Sequence, residues 1–237
     1  MDFNSITEFL SGQKLDVGLR IKISRPGKTI LYRMDYLVKL AKGKRIIHAG
    51  CVDHLPSLEE KIKQNLWLHK LLDEVSVKCV GFDIDDAGIR RVKSLGFTDV
   101  FRFDIIREPL PEIFRETHFD LMILGEILEH VDNPVAFLQE IHDKFHKVAD
   151  QIVITSPNAF FINNLLGIFK HEECINSDHR YWFSPYTLAK ISTLAGFKVN
   201  SFDFVYNFKT SRNALLKAVL FRWFPASRST IVMVLDF

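Results

Sequence analysis

The run Phe119-Asp-Leu-Met-Ile-Leu-Gly-Glu-Ile-Leu-Glu-His130 contains three residues whose types do chemistry: Glu126, Glu129 and His130. They stand at i, i+3 and i+4, so a helix starting at Gly125 would turn all three to one side. Two carboxylates and an imidazole on one face suit proton transfer or metal ligation. The apolar run Leu121–Leu124 before them reads as a buried strand. That sets the cluster at the C-terminal end of a strand, where open α/β sheets bind ligands. The plainer alternative is a helix start, where acids complement the dipole.

Three other strand ends carry polar groups. His48-Ala-Gly-Cys-Val-Asp-His54 follows an apolar run, and Gly50 lets the chain turn tightly and a ligand approach the backbone. A plain strand-to-helix turn explains it equally well. The segment is not G-x-G-x-x-G, which disfavours a nicotinamide-dependent enzyme. In Val80-Gly-Phe-Asp-Ile-Asp85, Asp83 sits where a carboxylate commonly accepts from ribose hydroxyls, with Ile84 placed to lie against a base. Asp85 or Asp86 is well placed to cap the next helix. Asp104 and Ile105 repeat the acid-then-apolar pattern; alone, Asp104 reads as a turn or cap residue.

Positioning these ends requires alternating elements. Strands are expected at Arg45–Ala49, Val77–Asp83, Val100–Phe103, Asp120–Leu124, Gln151–Thr155, Phe197–Phe204 and Ile231–Asp236. Helices are expected at Leu31–Ala41, Leu58–Glu74, Asp86–Leu95, Pro134–Val148, Pro185–Ala195 and Arg212–Trp223. Such alternation implies parallel βαβ units and a sheet covered on both faces. The apolar runs at Arg45–Ala49, Asp120–Leu124 and Gln151–Thr155 read as central strands. Residues 1–42 precede the first core strand as a cap. Residues 156–184 read as an irregular substrate-side insertion, and the domain proper as 43–237.

A chain of 237 residues with 47% apolar content suits one α/β domain with a full core. A net charge of +2 argues neither for nor against nucleic acid. Cys51, Cys79 and Cys174 form no C-x-x-C pair and read as reduced thiols of a cytoplasmic protein. No signal peptide is evident, and no apolar run reaches the roughly 18 residues of a spanning helix.

The ordered set H-A-G-C, V-G-F-D-I-D, F-D-I, F-D-L-M-I-L-G-E-I-L-E-H, I-V-I-T-S-P-N and D-H-R-Y-W-F-S-P-Y-T-L…A-G-F resembles class I S-adenosylmethionine-dependent methyltransferases. It spans roughly residues 43–204, and its fourth-strand segment and its S-P-N, D-H…F-S-P-Y-T-L and A-G-F tail are similar to small-molecule and glycan-modifying branches, including ubiquinone-pathway O-methyltransferases. The resemblance implies a Rossmann-like, seven-stranded, mostly parallel sheet with an antiparallel last strand. It implies S-adenosylmethionine as cofactor. His48, Gly50, Cys51 and neighbours would line its methionine part, Asp83 its ribose and Ile84 its adenine. Asp104 would accept from the adenine amino group beside Ile105, and Gly125 and Glu126 would lie near the sulfonium. The usual first motif is acid-x-G-x-G-x-G; here His48, Val52 and His54 replace the acid and two glycines, with Asp53 as a substitute carboxylate.

Glu126, Glu129, His130 and His179 also resemble the E-x-x-E-H…H set of metal-assisted methyltransferases, which include small-RNA 2′-O-methyltransferases. The set implies a divalent ion (Mn, Mg, Fe, Co or Zn), and mixed N/O ligands disfavour Mg. The expected reaction is O-methylation of a small molecule or a sugar hydroxyl, as in polysaccharide biosynthesis. His130 is the expected general base, oriented by Glu126 or Glu129, with His179 as the alternative. Phe160, Phe161, Tyr181 and Trp182 suit an apolar wall for the acceptor. Nucleic acid is not an expected partner. The amphipathic stretch Leu215–Phe224, with Arg212, Lys217 and Arg222, suggests at most peripheral membrane contact. The altered first motif leaves a second reading, a non-catalytic methyltransferase-like binding module.

Overall fold

A computed structural model describes residues 3–23, 29–53, 55–207 and 214–237. His54 and Arg212, singled out above, lie outside the described residues, as does the side chain of Lys217. The strands are β1 Arg45–Ala49, β2 Lys78–Asp83, β3 Val100–Arg102, β4 Phe119–Gly125, β5 Ala149–Pro157, β6 Lys198–Val205 and β7 Thr230–Asp236. They form one seven-stranded sheet in the order β3-β2-β1-β4-β5-β7-β6. The three runs expected to be central occupy the three middle places. Their residues are apolar in succession because helices cover both faces of a parallel sheet. β1 pairs parallel with β2 and β4, and β2 with β3. β7 runs antiparallel to β6. This is the Rossmann-like arrangement that the motif order implies.

The helices are α1 Thr7–Leu10, α2 Arg33–Ala41, α3 Leu55–Lys63, α4 Leu68–Val75, α5 Asp86–Ser94, α6 Glu112–Arg115, α7 Pro134–Phe145, α8 Ile162–Ile168, α9 Pro185–Leu194 and α10 Ala214–Trp223. The single helix expected over Leu58–Glu74 is two helices, α3 and α4. Asn65 adopts a left-handed φ of 59° between them, which ends α3. The helix expected to begin at Gly125 does not form. Glu126 takes a left-handed φ of 57°, and only a 3-10 turn, Leu128–His130, follows before α7 begins. Part of the irregular 156–184 stretch is helical, as α8.

The chain divides into two compact units. One holds residues 34–125 and 140–153, with the C-terminal residue. Its core includes interlocked rings: Phe82 against Phe103 (5.3 Å), and Phe114 against Phe145 (5.6 Å). Burying rings of this size stabilises the fold by roughly 1.5–3 kcal/mol each. The other unit holds residues 1–33, 126–139 and 154–236. There the buried Arg228 guanidinium ties elements together by donating to the carbonyls of Phe204, Phe221 and Thr29. Ser184 and Thr187 close a capping box at the start of α9, with Pro185 in the first turn. The S-P-Y-T signature is therefore a helix start.

Candidate functional site

In the second of these units, two segments bring the acid–histidine cluster together. The first is the turn after β4. Glu126 donates its backbone N–H to Thr155 O (2.9 Å), which fixes the left-handed bend. A non-glycine residue in this conformation costs on the order of 1–3 kcal/mol and is concentrated at functional sites. The 3-10 turn then aims Glu129 inward, where it is fully buried. The second segment is Asp178-His-Arg180. Arg180 donates its backbone N–H to Glu129 O (2.7 Å), its Nη1 to His130 O, and its Nε to Asp132 Oδ1 (2.7 Å). Tyr181 adds a hydrogen bond from its hydroxyl to Asp132 O (2.7 Å). These staples bring His179 edge-on to His130, ring centroids 4.7 Å apart.

Glu129, His130 and His179 each offer a ligand atom, and the three atoms lie within 4.8 Å of one another. Glu126 is outside this trio but interacts electrostatically with Glu129. His130 Nδ1 donates to Asp178 Oδ2 (2.7 Å), so Asp178 orients the imidazole, rather than Glu126 or Glu129 as expected. That bond leaves Nε2 for an outside group. Glu129 Oε2 accepts from Ser156 Oγ (3.0 Å), while its Oε1 has no hydrogen bond. Glu126 Oε1 and His179 Nδ1 are likewise buried without a hydrogen bond. Arg33 Nε stands 3.6 Å from Glu126 Oε1 and donates to Thr155 Oγ1 (3.1 Å).

The electrostatics follow from this packing. Burial, and then the Glu126 carboxylate, push the Glu129 carboxyl well above the usual range; Ser156 and Arg33 oppose the shift. Burial, and then His130, lower the His179 pKa, with Asp178 opposing. A positive charge beside the two carboxylates opposes the Glu129 shift, as Arg33 already does.

The other candidates lie in the first unit. Gly50 turns with φ 71° at the end of β1. Asp83, at the tip of β2, accepts from Val52 N (3.1 Å) on one oxygen and Asp85 N (3.0 Å) on the other. Each oxygen keeps a lone pair for a ligand. Ile84 is 69% exposed beside it. Asp85 caps α5 through Gly88 N, so the ribose-type and cap readings fall on different aspartates. Asp104 accepts from Ile106 N (3.0 Å) and Arg107 N (3.1 Å), the turn role its type suggests. Ile105 is buried.

In the first motif, His48, Cys51 and Val52 are buried. His48 is buried and stacks on His69 of α4, Nδ1 to Nδ1 at 3.2 Å. Trp67 Nε1 donates to Cys51 O (3.0 Å). The Cys51 thiol is buried, and burial pushes its pKa up. A Cβ on Gly81 would meet His69 Cε1 at 2.7 Å and Cys51 Sγ at 2.9 Å, so only glycine fits there. Asp53 is ion-paired with Lys61 (2.7 Å).

Sequence reasoning missed Arg33, Asp178 and Ser156. Asp178 and Ser156 sit inside quoted motifs, Asp178 next to His179. Arg33 carries no local signal; it is set by α2, whose first N–H donates to Tyr206 O.

A family model described as a methyltransferase domain matches residues 30–201. No curated protein matches the chain in sequence. Among solved structures, the small RNA methyltransferase HEN1 is similar over 93% of this chain at 15% identity, with a TM-score of 0.56. The chain spans only 27% of that protein. An S-adenosylmethionine-dependent methyltransferase from Mesorhizobium loti is similar at 13% identity and a TM-score of 0.54, covering 85% of this chain and 96% of its own. The complex of the Haloferax volcanii Trm112 methyltransferase activator with a putative methyltransferase contains a chain similar at 15% identity and a TM-score of 0.54, covering 86% and 89%. At these identities the likeness is one of fold, and it agrees with the family match over residues 30–201. The chain belongs to the methyltransferase-domain family.

Proposed function

We propose that the protein methylates a hydroxyl oxygen of a small molecule or of a glycan sugar, with Glu126, Glu129, His130 and His179 as its reaction centre. The observation that carries this reading is the set of buried atoms without hydrogen bonds: Glu126 Oε1, Glu129 Oε1 and His179 Nδ1. Each such atom costs about 1–3 kcal/mol. Three on interacting residues of one cluster are what a bound cation, or an acceptor hydroxyl, would relieve.

S-adenosylmethionine supplies an activated methyl group and its own leaving group, so the protein mainly orients the reactants. Asp83 is the residue for the ribose hydroxyls, and the exposed Ile84 for the adenine face. Asp104 would accept from the adenine amino group beside Ile105. Gly50 would let the backbone approach the methionine part, and Gly125 and Glu126 would border the sulfonium. His48, Cys51 and Asp53 complete the expected cofactor set. With His48 and Cys51 buried, their contribution is to hold the shape of the β1 turn.

A neutral hydroxyl is a poor nucleophile near pH 7 and must lose its proton. His130 Nε2 is the group to take it, and Asp178 at Nδ1 stabilises the imidazolium that results. Alternatively, a divalent ion held by Glu129, His130 and His179, with Glu126 nearby, would take His130 Nε2 as a ligand and supply the positive charge that lowers the acceptor's pKa. This donor set suits Mn, Fe, Co or Zn better than Mg. Residues 1–42 and 156–184 are the proposed cap and substrate-side segment. The unpaired thiols of Cys51, Cys79 and Cys174 support a cytoplasmic setting.

Calorimetric titration with S-adenosylhomocysteine tests the cofactor assignment. Wild type should bind, and Asp83→Ala should bind at least about tenfold more weakly, the loss of a hydrogen bond to a charged group. Absence of heat and of any thermal shift at millimolar S-adenosylhomocysteine would overturn the reading. Unchanged affinity in Asp83→Ala would overturn the ribose assignment.

A further inference from the structure

The unit that holds the acid–histidine cluster also holds two hollows that the proposed reaction leaves unexplained. Residues 15–23 alternate in type: Leu15, Val17, Leu19, Ile21 and Ile23 against Asp16, Gly18, Arg20 and Lys22. The segment forms neither helix nor strand. Its apolar members line a cavity of about 660 Å³, closed by Phe9, Phe160 and Tyr186. Ile23 and Phe160 also line a second groove of about 480 Å³, whose other walls include Ile162, Leu165, Leu220 and Phe224. The two hollows therefore adjoin through a shared pair of side chains.

This surface is costly without an occupant. Val17 is fully exposed and Leu15 is 88% exposed. Leu165, Leu166, Ile168 and Phe169 on and after α8, and Trp223 and Phe224 at the end of α10, are exposed as well. Apolar side chains left open to solvent around a hollow are a feature of interaction sites in folded proteins. The charges are one-sided. Lys14, Arg20 and Lys190 line the larger cavity against a single acid, Asp16. Lys190 is spent on Phe9 O (2.6 Å), but Arg20 makes no ion pair or hydrogen bond among the described residues. Lys14 lies over the Phe9 ring at 5.2 Å and reaches an exposed Glu8 at 3.9 Å. An apolar trough with cations at one end matches a molecule with an apolar chain and an anionic head.

We propose that the joined cavity and groove bind a single-chain anionic amphiphile, with its alkyl or isoprenoid chain along Phe160 and Ile23 and its phosphate or carboxylate at Lys14 and Arg20. The walls connect it to the reaction centre. Phe160 follows Ser156, which bonds Glu129, and Tyr186 follows His179; the two strands of wall are joined by the Asn158–Phe183 bridge and by Ala159 N to Phe183 O (2.9 Å). Resting on the methyl-transfer reading, the acceptor is carried on such an amphiphile. Binding itself does not depend on that reading.

The test is calorimetric titration of the full chain with octyl, decyl and dodecyl phosphate below their micelle concentrations, with dodecanoate and neutral dodecyl maltoside in parallel. Affinity should rise about fifteenfold for each two added methylenes, from roughly 0.8 kcal/mol per buried CH₂. The maltoside should bind severalfold more weakly than the anionic dodecyl compounds. Comparing the phosphate with the carboxylate tells which head is preferred; tighter binding of either than of the maltoside supports the proposal. Val17→Asp, at a fully exposed position, should weaken all chains. Arg20→Glu should weaken the anionic compounds and spare the maltoside. A flat chain-length series would overturn the proposal, as would wild-type affinity in both variants. Binding to anionic vesicles with none to monomeric amphiphile would also overturn it, since the surface would then meet a membrane. S-adenosylhomocysteine is titrated into the same preparation. Its binding without amphiphile binding would overturn only this inference; amphiphile binding without it would support this inference and overturn the methyl-transfer reading.

Discussion

Two histidine-bearing clusters, one in each compact unit, were both visible as candidate chemistry, and they differ in how their polar atoms are spent. At the end of β1, His48 pairs with His69, Trp67 donates to the Cys51 carbonyl, and Asp53 pairs with Lys61. Around the β4 turn, Glu126, Glu129 and His179 each keep a buried atom without a hydrogen bond. A buried polar group that has found its partners contributes to a fold; one left without is a cost that persists only where something else compensates it. The first cluster is therefore read as architecture and the second as a site.

The largest effect expected from this contrast is catalytic. His130→Ala should lower kcat for methyl transfer by about 10²- to 10⁴-fold, the usual range for a positioned base, with little change in unfolding free energy. His69→Gln should leave kcat far closer to wild type. A fall as steep as that of His130→Ala would erase the distinction.

Next is stability. Trp67→Ala should cost about 3–5 kcal/mol in a denaturant titration, because a fully buried indole and its bond to Cys51 are lost together. Burial also lowers the His69 pKa from 6.5 to about 4. In that window the unfolded chain takes up a proton that the folded chain refuses. Stability is thus full above pH 6.5 and falls by about 3 kcal/mol as the pH drops to 4. Denaturation curves across this range, with His69→Gln removing that share of the slope, measure it directly.

The open cluster makes a different demand. Mn²⁺ or Zn²⁺ at a hundredfold excess over its Kd should raise the unfolding free energy by about 2.7 kcal/mol, and a chelator should reverse the gain. His179→Ala should abolish the response and His69→Gln should keep it. An equal response in both variants would place the ion elsewhere. The smallest effect concerns orientation. Asp178→Asn should lower activity or metal affinity by roughly 10- to 100-fold, since it loosens His130 without removing it. In the His130→Gln background, Asp178→Asn should cost little more, whereas a merely structural Asp178 would add its own loss.

Much of the architecture was legible beforehand for a physical reason. Strands buried on both faces are apolar without interruption, so β1, β4 and β5 announced themselves as the middle of the sheet. Element ends set by one left-handed residue did not: Asn65 splits the expected long helix, and Glu126 prevents the helix after Gly125. Backbone strain of this kind is imposed by surrounding contacts, such as Glu126 N to Thr155 O, and leaves no periodicity to read.

The site divides in the same way. By itself the sequence determined the family pattern, the three central strands and the candidacy of Glu126, Glu129, His130 and His179, because motif spacing and hydrophobic runs are local properties. Only the tertiary structure decided which of these residues meet, that Asp178 orients His130, and that Arg33 faces Glu126 across 93 residues of chain. It also decided that the first-motif histidine is sealed while the β4 cluster stays unsatisfied. Burial and hydrogen-bond completion depend on segments distant in sequence, and they are what separates a polar residue that holds a fold from one that awaits a ligand.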